Sequence, residues 1–312
     1  MTQISLALSK SVLYKTYDSS PKIKQIVDSL QQAEQKIQLN GLIGSSLSFV
    51  VQSLFKKTEK PFLIILNDKE EAAYYLNDLE QMIGDEDVLF YPGSYRRPYQ
   101  IEDTDNANVL LRAEVLNRIN SRKKPAIIVT YPEALFEKVV TRKELDKNTL
   151  KVTVGDQISI DFINEVLFEY EFKRVDFITE PGEFSVRGGI VDVFSFSNDN
   201  PYRIEFFGNE VDSIRSFDVE TQLSIEKQKK ITIIPNVENK FFQENRESFL
   251  EYINNQTVLF IQDTDSLFSK LDRLFAKATE IFENLNATVN HVAPNQLFLN
   301  QVEFIKKSLD FS

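Results

Sequence analysis

The chain has 312 residues, enough for two or three domains, and 42% of them are hydrophobic, including 25 Phe. Its 47 acidic and 36 basic residues give a net charge of −11, which repels phosphate backbones and disfavours direct binding of duplex DNA. The absence of Cys excludes disulfides, thiolate nucleophiles and Cys-ligated metals, and fits a reducing cytoplasm. With no apolar run of ~18–20 residues and no secretory signal core, we expect a cytoplasmic location and no membrane partner.

The single His of the chain, His291, lies in the polar stretch Ala-Thr-Val-Asn-His-Val-Ala-Pro-Asn-Gln. No Ser, Asp or Glu motif lies beside it. We therefore expect a loop position at the surface, and neither a His-based catalytic triad nor a His-rich metal site.

The first part of the chain alternates short apolar runs with amphipathic stretches. Residues 23–37 follow a Ser-Ser-Pro start signal, and residues 132–140 begin with Pro, which is typical of a first helical turn. The pattern predicts helices at 23–37, 46–56, 69–83, 106–120 and 132–140, and strands at 61–66, 88–91 and 126–130. Such alternation favours a parallel sheet covered by helices on both faces.

The pattern changes after about residue 142. A helix at 160–170 precedes residues 175–235, where turn signals at 181–182, 188–189, 198–201 and 208–209 separate short alternating strands. A strand at 257–262 and a helix at 266–285 then restore the α/β pattern. We therefore predict an α/β domain beginning at residues 1–142, an inserted, mainly antiparallel α+β domain at 143–236, and a return to the first domain at 237–312.

The segment before the helix predicted at 46–56 has the spacing of a phosphate-binding loop, but lacks its key cation. A working loop needs glycines whose neighbouring N–H groups wrap the phosphates, a Lys for their charge, and a Ser or Thr for magnesium. The chain keeps part of that set and loses the Lys, because the corresponding positions are Gly41, Gly44, Ser46, Leu47 and Ser48. Two interpretations are open: an ordinary strand–turn–helix that never bound nucleotide, or a degenerate P-loop kept as scaffold.

Neither interpretation predicts ATP hydrolysis at this turn, since Leu47 cannot neutralise a triphosphate. No convincing acidic Walker B element follows in the sequence. Asn67-Asp68 comes after a strong strand, but Asp68 is equally suited to cap the next helix. We therefore expect no catalytic residue, no metal and no cofactor in these 312 residues.

Two segments of the middle domain carry an unusual density of specific residues. Residues 174–194 read Arg-Val-Asp-Phe-Ile-Thr-Glu-Pro-Gly-Glu-Phe-Ser-Val-Arg-Gly-Gly-Ile-Val-Asp-Val-Phe, and residues 201–218 read Pro-Tyr-Arg-Ile-Glu-Phe-Phe-Gly-Asn-Glu-Val-Asp-Ser-Ile-Arg-Ser-Phe-Asp. Together they resemble the module shared by the excision-repair helicase UvrB and the transcription-repair coupling factors, with the closer match to the latter. The resemblance covers about residues 37–236, and the loss of the P-loop Lys agrees with a coupling-factor module.

The resemblance implies an N-terminal, non-catalytic module of a longer protein, which recruits the damage-recognition ATPase UvrA to a stalled RNA polymerase. In that family the remainder holds the polymerase-binding domain and a DNA translocase that uses ATP and Mg, and this module packs on that motor at rest. Alternatives are an active UvrB-like, ATP-dependent protein that binds damaged DNA, and an autoinhibitory scaffold. The DNA-clamping hairpin of UvrB corresponds to residues 92–108, which keep Tyr95 and Tyr99 but are short and polar.

The middle domain also places arginines among Phe and Glu on predicted strands, at Arg174, Arg187, Arg203 and Arg215. Arg and aromatic residues dominate the energetics of protein interfaces. The alternative is that each Arg pairs with a local carboxylate on a solvated sheet face. The resemblance implies a UvrA-binding surface that contains three of these arginines and an acidic position: Arg174, Arg187, Arg203 and Glu205. Phe194 is either a further contact of that surface or a core residue.

Overall fold

The computed structural model describes residues 12–32, 36–94, 99, 106–121, 124–196, 198, 200–236, 246–285 and 291–311. Residues 12–18 form a short helix. The further helices are α1 (Pro21–Leu30), α2 (Ser46–Thr58), α3 (Lys69–Ile83), α4 (Asn106–Ser121), α5 (Pro132–Phe136), α6 (Arg142–Lys147), α7 (Ile160–Glu169), α8 (Phe249–Tyr252), α9 (Thr264–Glu283), α10 (Pro294–Leu297) and α11 (Gln301–Ser308). The strands are β1 (Phe62–Ile65), β2 (Val88–Phe90), β3 (Ile127–Thr130), β4 (Val139–Val140), β5 (Leu150–Thr153), β6 (Lys173–Arg174), β7 (Glu183–Arg187), β8 (Ile190–Val193), β9 (Tyr202–Phe207), β10 (Glu210–Phe217), β11 (Ser224–Gln228), β12 (Lys230–Ile233), β13 (Arg246–Glu247) and β14 (Val258–Ile261).

A four-stranded parallel sheet has the order β14-β1-β3-β2. Its central strands β1 and β3 are buried along their whole length, which is why they read as unbroken apolar runs. Strand β14 comes from the last part of the chain and pairs with β1, so the chain returns to this sheet after the middle domain. The parallel sheet predicted from strand–helix alternation is confirmed.

A six-stranded sheet has the order β11-β10-β9-β8-β7-β6 and is antiparallel except for the β6–β7 pair. The mainly antiparallel sheet expected for the middle of the chain is thus confirmed, while the domain boundaries at 142 and 236 stay predictions. The β7–β8 turn requires a left-handed residue, which Gly188 supplies with φ +58°. One face of this sheet packs into the main core through Phe184, Val191 and Ile204, all fully buried.

Two small two-stranded sheets accompany the larger ones and were missed by the sequence analysis. Strand β5 pairs with β12, and β4 pairs with β13, both antiparallel. The helix predicted at 132–140 is correspondingly wrong at its end, because α5 stops at Phe136 and residues 139–140 form β4. The helix predicted at 23–37 also ends early, at Leu30, and residues 36–40 form neither helix nor strand.

Within the described part of the chain, helices are too short or too polar for a membrane-crossing segment. His291 lies at the surface in a segment without helix or strand, as predicted. Asp68 caps α3 by accepting a hydrogen bond from the N–H of Glu71 at 2.9 Å, so its capping interpretation is confirmed.

Candidate protein-interaction face

The register of the antiparallel sheet brings most of the predicted charged residues to one face. Side chains of residues paired across strands lie on the same face, and residues two apart along a strand share it. The pairs Asp192–Arg203 and Arg203–Arg215 form one row across β8, β9 and β10, and Glu205 lies in the next row. Arg187 belongs to the same face, at the end of β7. We call this set the arginine face: Arg187, Asp192, Arg203, Glu205 and Arg215.

Asp192 is the centre of the arginine face. Its side chain is only 2% exposed, yet it lies between two guanidinium groups. Arg203 donates from Nε to Oδ1 at 2.7 Å and from Nη2 to Oδ2 at 2.9 Å, while Arg187 donates from Nη2 to the same Oδ2. Two-point pairing of this kind fixes the plane of the guanidinium as well as its position.

The two arginines that share Asp192 differ in what they offer to a partner. The guanidinium of Arg203 lies 4.4 Å from the ring centre of Phe217 and its side chain is 18% exposed. Hydrogen bonding to Asp192 raises the pKa of Arg203, so it stays charged. Arg187 is 41% exposed, and Asp192 is the ion-pair partner that the structure gives it. Arg203 therefore mainly pairs with the buried carboxylate of Asp192, whereas Arg187 also presents its charge to solvent.

Glu205 and Arg215 form a second ion pair on the arginine face, and each side chain is about one-third exposed. Ser213 also donates its hydroxyl to Glu205 Oε2 at 2.6 Å. This hydroxyl contact, followed by the charge of Arg215, holds the pKa of Glu205 below its ordinary value. The local-pairing alternative is thus confirmed for Arg187, Arg203 and Arg215: each contacts a carboxylate of the same sheet.

The structure gives a buried position to Phe194, which the sequence left as either a contact or a core residue. Phe194 is 6% exposed and packs with Ile178 and Phe217 in a small core, which confirms its core alternative and leaves little ring area for a partner. Phe207, which the sequence analysis missed, is 84% exposed at the end of β9, two residues after Glu205 and on the same face. The period of two through Arg203 and Glu205 was the signal that could have found it.

The structure does not bring Arg174 to the arginine face. Its strand β6 is the edge of the sheet, and Arg174 pairs in register with Phe184, whose ring is buried in the main core. Arg187 lies three residues after Phe184 on β7, so the two alternate faces. Arg174 is exposed and makes no ion pair with a residue that the structure describes.

The glycine turn before α2 places Leu47 and Ser48 against the interior of the protein. Gly41 and Gly44 have positive φ values of 81° and 53°, and the hydroxyl of Ser46 accepts from the N–H of Ile43 at 2.6 Å. Leu47 packs against the main core. Ser48 is fully buried and donates to Asp78 Oδ2 at 3.3 Å. The strand considered before this turn is absent from residues 36–40.

Tyr99, one of the two tyrosines considered for DNA contact, is tied to the fold by its hydroxyl and its ring. Tyr99 donates to the carbonyl of Val292 at 2.9 Å and its ring packs near Phe298; burial raises its pKa to about 12. Tyr95 lies outside the described residues. Across the described ranges, His, Asp and Glu side chains do not form a group of three that could hold a metal ion.

Comparison with known proteins identifies a family match in the part of the chain that forms the six-stranded sheet. The model of the UvrB interaction domain matches residues 150–239, the region that contains the six-stranded sheet. A transcription-repair-coupling factor of Bacillus subtilis is 32% identical over 273 residues, which cover 87% of this chain and 22% of that protein. The corresponding factor of Myxococcus xanthus is 28% identical over 256 residues, 78% of this chain and 21% of that protein.

UvrABC system protein B of Clostridium botulinum is 27% identical over 233 residues, 70% of this chain and 35% of that protein. The chain thus spans about a fifth of the coupling factors that it matches and a third of protein B. The matched domain at residues 150–239 and these similarities show that the chain is an N-terminal UvrB-like module of the transcription-repair-coupling type.

Proposed function

We propose that this module binds UvrA through the arginine face and brings it to DNA repair that is coupled to transcription. The observation that carries the proposal is the position of Arg187 and Phe207: an accessible guanidinium and an 84% exposed ring on one rigid sheet face, within the matched UvrB interaction domain. Arg and aromatic residues are the side chains that most often dominate binding energy.

The local ion pairs support this role because they organise the face before a partner arrives. Asp192 holds both Arg187 and Arg203, so less side-chain freedom is lost on binding than with free arginines. A partner carboxylate can meet the N–H groups of Arg187 that Asp192 does not use. We expect the partner surface to be acidic beside an apolar patch that covers Phe207.

Titration of the chain with purified UvrA tests the proposal. We expect Arg187→Ala and Phe207→Ala each to weaken binding by roughly tenfold or more, that is about 1.4 kcal/mol. Arg273→Ala is the matched control and keeps wild-type affinity, because Arg273 is an exposed Arg on helix α9, outside the six-stranded sheet. Arg174→Ala is expected to weaken binding less than Arg187→Ala, since Arg174 lies at the sheet edge and on the face opposite to Arg187. Unchanged affinity for both Arg187→Ala and Phe207→Ala contradicts the proposal.

We propose further that the module is non-catalytic and that the turn before α2 is a degenerate P-loop. The Leu47 side chain takes the place of the phosphate-binding Lys and packs on the core, while Ser48 is bonded to Asp78. A calorimetric titration with Mg-ATP is expected to show no binding, with UvrABC system protein B of Clostridium botulinum as the positive control. Saturable binding that Gly44→Val abolishes would instead favour the active, UvrB-like alternative.

For the longer protein, we propose that RNA polymerase, DNA and ATP with Mg are bound by parts beyond this module. The coupling-factor relatives are about five times longer than the region matched here, which leaves ample chain for such domains. A second proposed function is restraint of the motor domain by packing of this module on it. This function is compatible with UvrA recruitment, because the two would occur in different states of the longer protein.

A further inference from the structure

The segment 175–182 crosses the outer side of the antiparallel sheet and is fixed to it at several points. The carbonyl of Asp176 accepts a hydrogen bond from the hydroxyl of Ser185 at 3.1 Å. The carboxylate of Glu183 accepts the N–H and hydroxyl of Thr179 at 2.8 and 3.0 Å, and the N–H of Glu180 at 3.2 Å. This crossing segment is therefore held in one conformation beside the arginine face.

Phe177 lies between two fixed residues of the crossing segment but is itself 65% exposed. Its neighbour Ile178 is buried with Phe194 and Phe217, so the segment already has an apolar anchor and the ring of Phe177 is not needed for that purpose. The guanidinium of Arg187 lies 5.2 Å from the centre of the Phe177 ring. The most accessible cation of the arginine face thus contacts Asp192 on one side and an exposed ring on the other.

We propose that Phe177 is a contact and positioning residue for the acidic protein partner: its ring holds the Arg187 guanidinium in place and packs against the partner. This inference rests on the binding function proposed above. A carboxylate that pairs with Arg187 brings the partner surface over the adjacent ring. Covering the ring excludes water from the cation–ring contact, which strengthens it. An aromatic side chain on a fixed segment also loses little conformational freedom on binding.

Titration of purified UvrA with Phe177 variants tests this role. We expect Phe177→Ala to weaken binding by roughly five- to twentyfold, and Phe177→Tyr, which keeps the ring, to bind like the wild type. Phe162→Ala is the matched control, because Phe162 is an exposed Phe on α7 of the same domain. Urea unfolding of Phe177→Ala is expected to have the same midpoint as that of the wild type, because the substitution is at the surface.

A double-mutant cycle with Arg187→Ala separates positioning from simple contact. We expect the combined variant to lose less affinity than the product of the two single losses, because Phe177 acts partly through Arg187. In the free protein, the Nε–H resonance of Arg187 is expected to shift in Phe177→Ala and to remain in place in Phe162→Ala. If Phe177→Ala binds like the wild type while Arg187→Ala is impaired, this inference is wrong and the proposed function stands. If neither Phe177→Ala nor Arg187→Ala is impaired, this inference is wrong, and the proposed function is wrong as well when Phe207→Ala also binds like the wild type.

Discussion

The carboxylate of Asp192 accepts two hydrogen bonds from the guanidinium of Arg203, at 2.7 Å from Nε and 2.9 Å from Nη2. Both partners lie on a sheet face rather than in the core, yet Asp192 is 2% exposed because Arg203 and Arg187 cover it. The pair therefore belongs to the stability of the fold as well as to the candidate interaction face.

Removing Arg203 is expected to destabilise the fold, because the buried Asp192 loses its two-point partner. Arg203→Ala should lower the free energy of unfolding by about 2–4 kcal/mol, less than a full loss of pairing since Arg187 remains. Urea denaturation followed by circular dichroism measures the change. Arg215→Ala is the control, as the Glu205–Arg215 pair, with each side chain about one-third exposed, contributes only ~0–1 kcal/mol. Equal losses in the two variants would contradict this reading of Asp192.

The pKa of Glu205 is expected to depend on Ser213. Because the Ser213 hydroxyl is the largest cause that lowers this pKa, Ser213→Ala should move it up towards the ordinary value of 4.5. A lowered carboxyl pKa contributes stability at pH above 4.5, and that contribution is lost as the pH falls through the folded-state value. Carbon-detected NMR titration of the Glu205 carboxyl measures the shift. An unchanged pKa in Ser213→Ala would show that the neighbouring arginines, Arg215 and Arg203, lower it without the hydroxyl.

Substitution of Gly182 is expected to damage the middle domain more than substitution of Gly188. Both have positive φ, at 89° and 58°, so Ala is strained at each by about 1 kcal/mol. At Gly182 an added Cβ would also lie 2.7 Å from Cζ of Phe196, whereas at Gly188 no atom lies within 4 Å. Gly182→Ala should therefore cost ~1–3 kcal/mol more than Gly188→Ala. Thermal unfolding of the two variants makes the comparison, and equal melting temperatures would refute it.

A buried ion pair at the end of the parallel sheet offers a fourth test. Arg112 is fully buried, donates to the carbonyl of Pro92 at 2.9 Å and lies 3.4 Å from Glu137. Glu137 also accepts the N–H and hydroxyl of Ser94, the latter at 2.6 Å. Removing one charge leaves the other buried, so Arg112→Met should cost roughly 3–5 kcal/mol.

The double variant Arg112→Met/Glu137→Gln should recover part of that loss, because no charge is then left unpaired in the core. Urea unfolding of the two single variants and the double variant gives the coupling energy. Strictly additive losses would mean that Arg112 stabilises the fold through the carbonyl groups of Pro92 and Ala134 rather than through Glu137.

Much of the fold could be predicted from the sequence because its local signals agree with one another. Buried parallel strands require continuous apolar runs, and those at 61–66 and 126–130 were recognised for that reason. The end of the helix predicted at 132–140 could not be found in this way. Pairing of Val139–Val140 with Arg246–Glu247, about a hundred residues later, overrides the local helical pattern.

The candidate site was predicted in residue type more than in arrangement. Arg187, Arg203 and Glu205 do share a face, whereas Phe194 is a core residue and Arg174 lies out of phase at the sheet edge. Phe207 was missed although the period of two through Arg203 and Glu205 indicated its face. Phe177 was missed because it lies outside the strands, where no period distinguishes an exposed ring from a buried one.

By itself, the sequence determined the strand–helix alternation, the antiparallel middle domain, the loss of the phosphate-binding Lys and the family resemblance, all of which depend on residue identity and short spacings. Only the tertiary structure decided which arginines meet Asp192, which Phe is exposed and which strands pair. The reason is physical: a one-residue change of register turns every side chain of a strand to the other face, and register is set by packing between residues far apart in the chain.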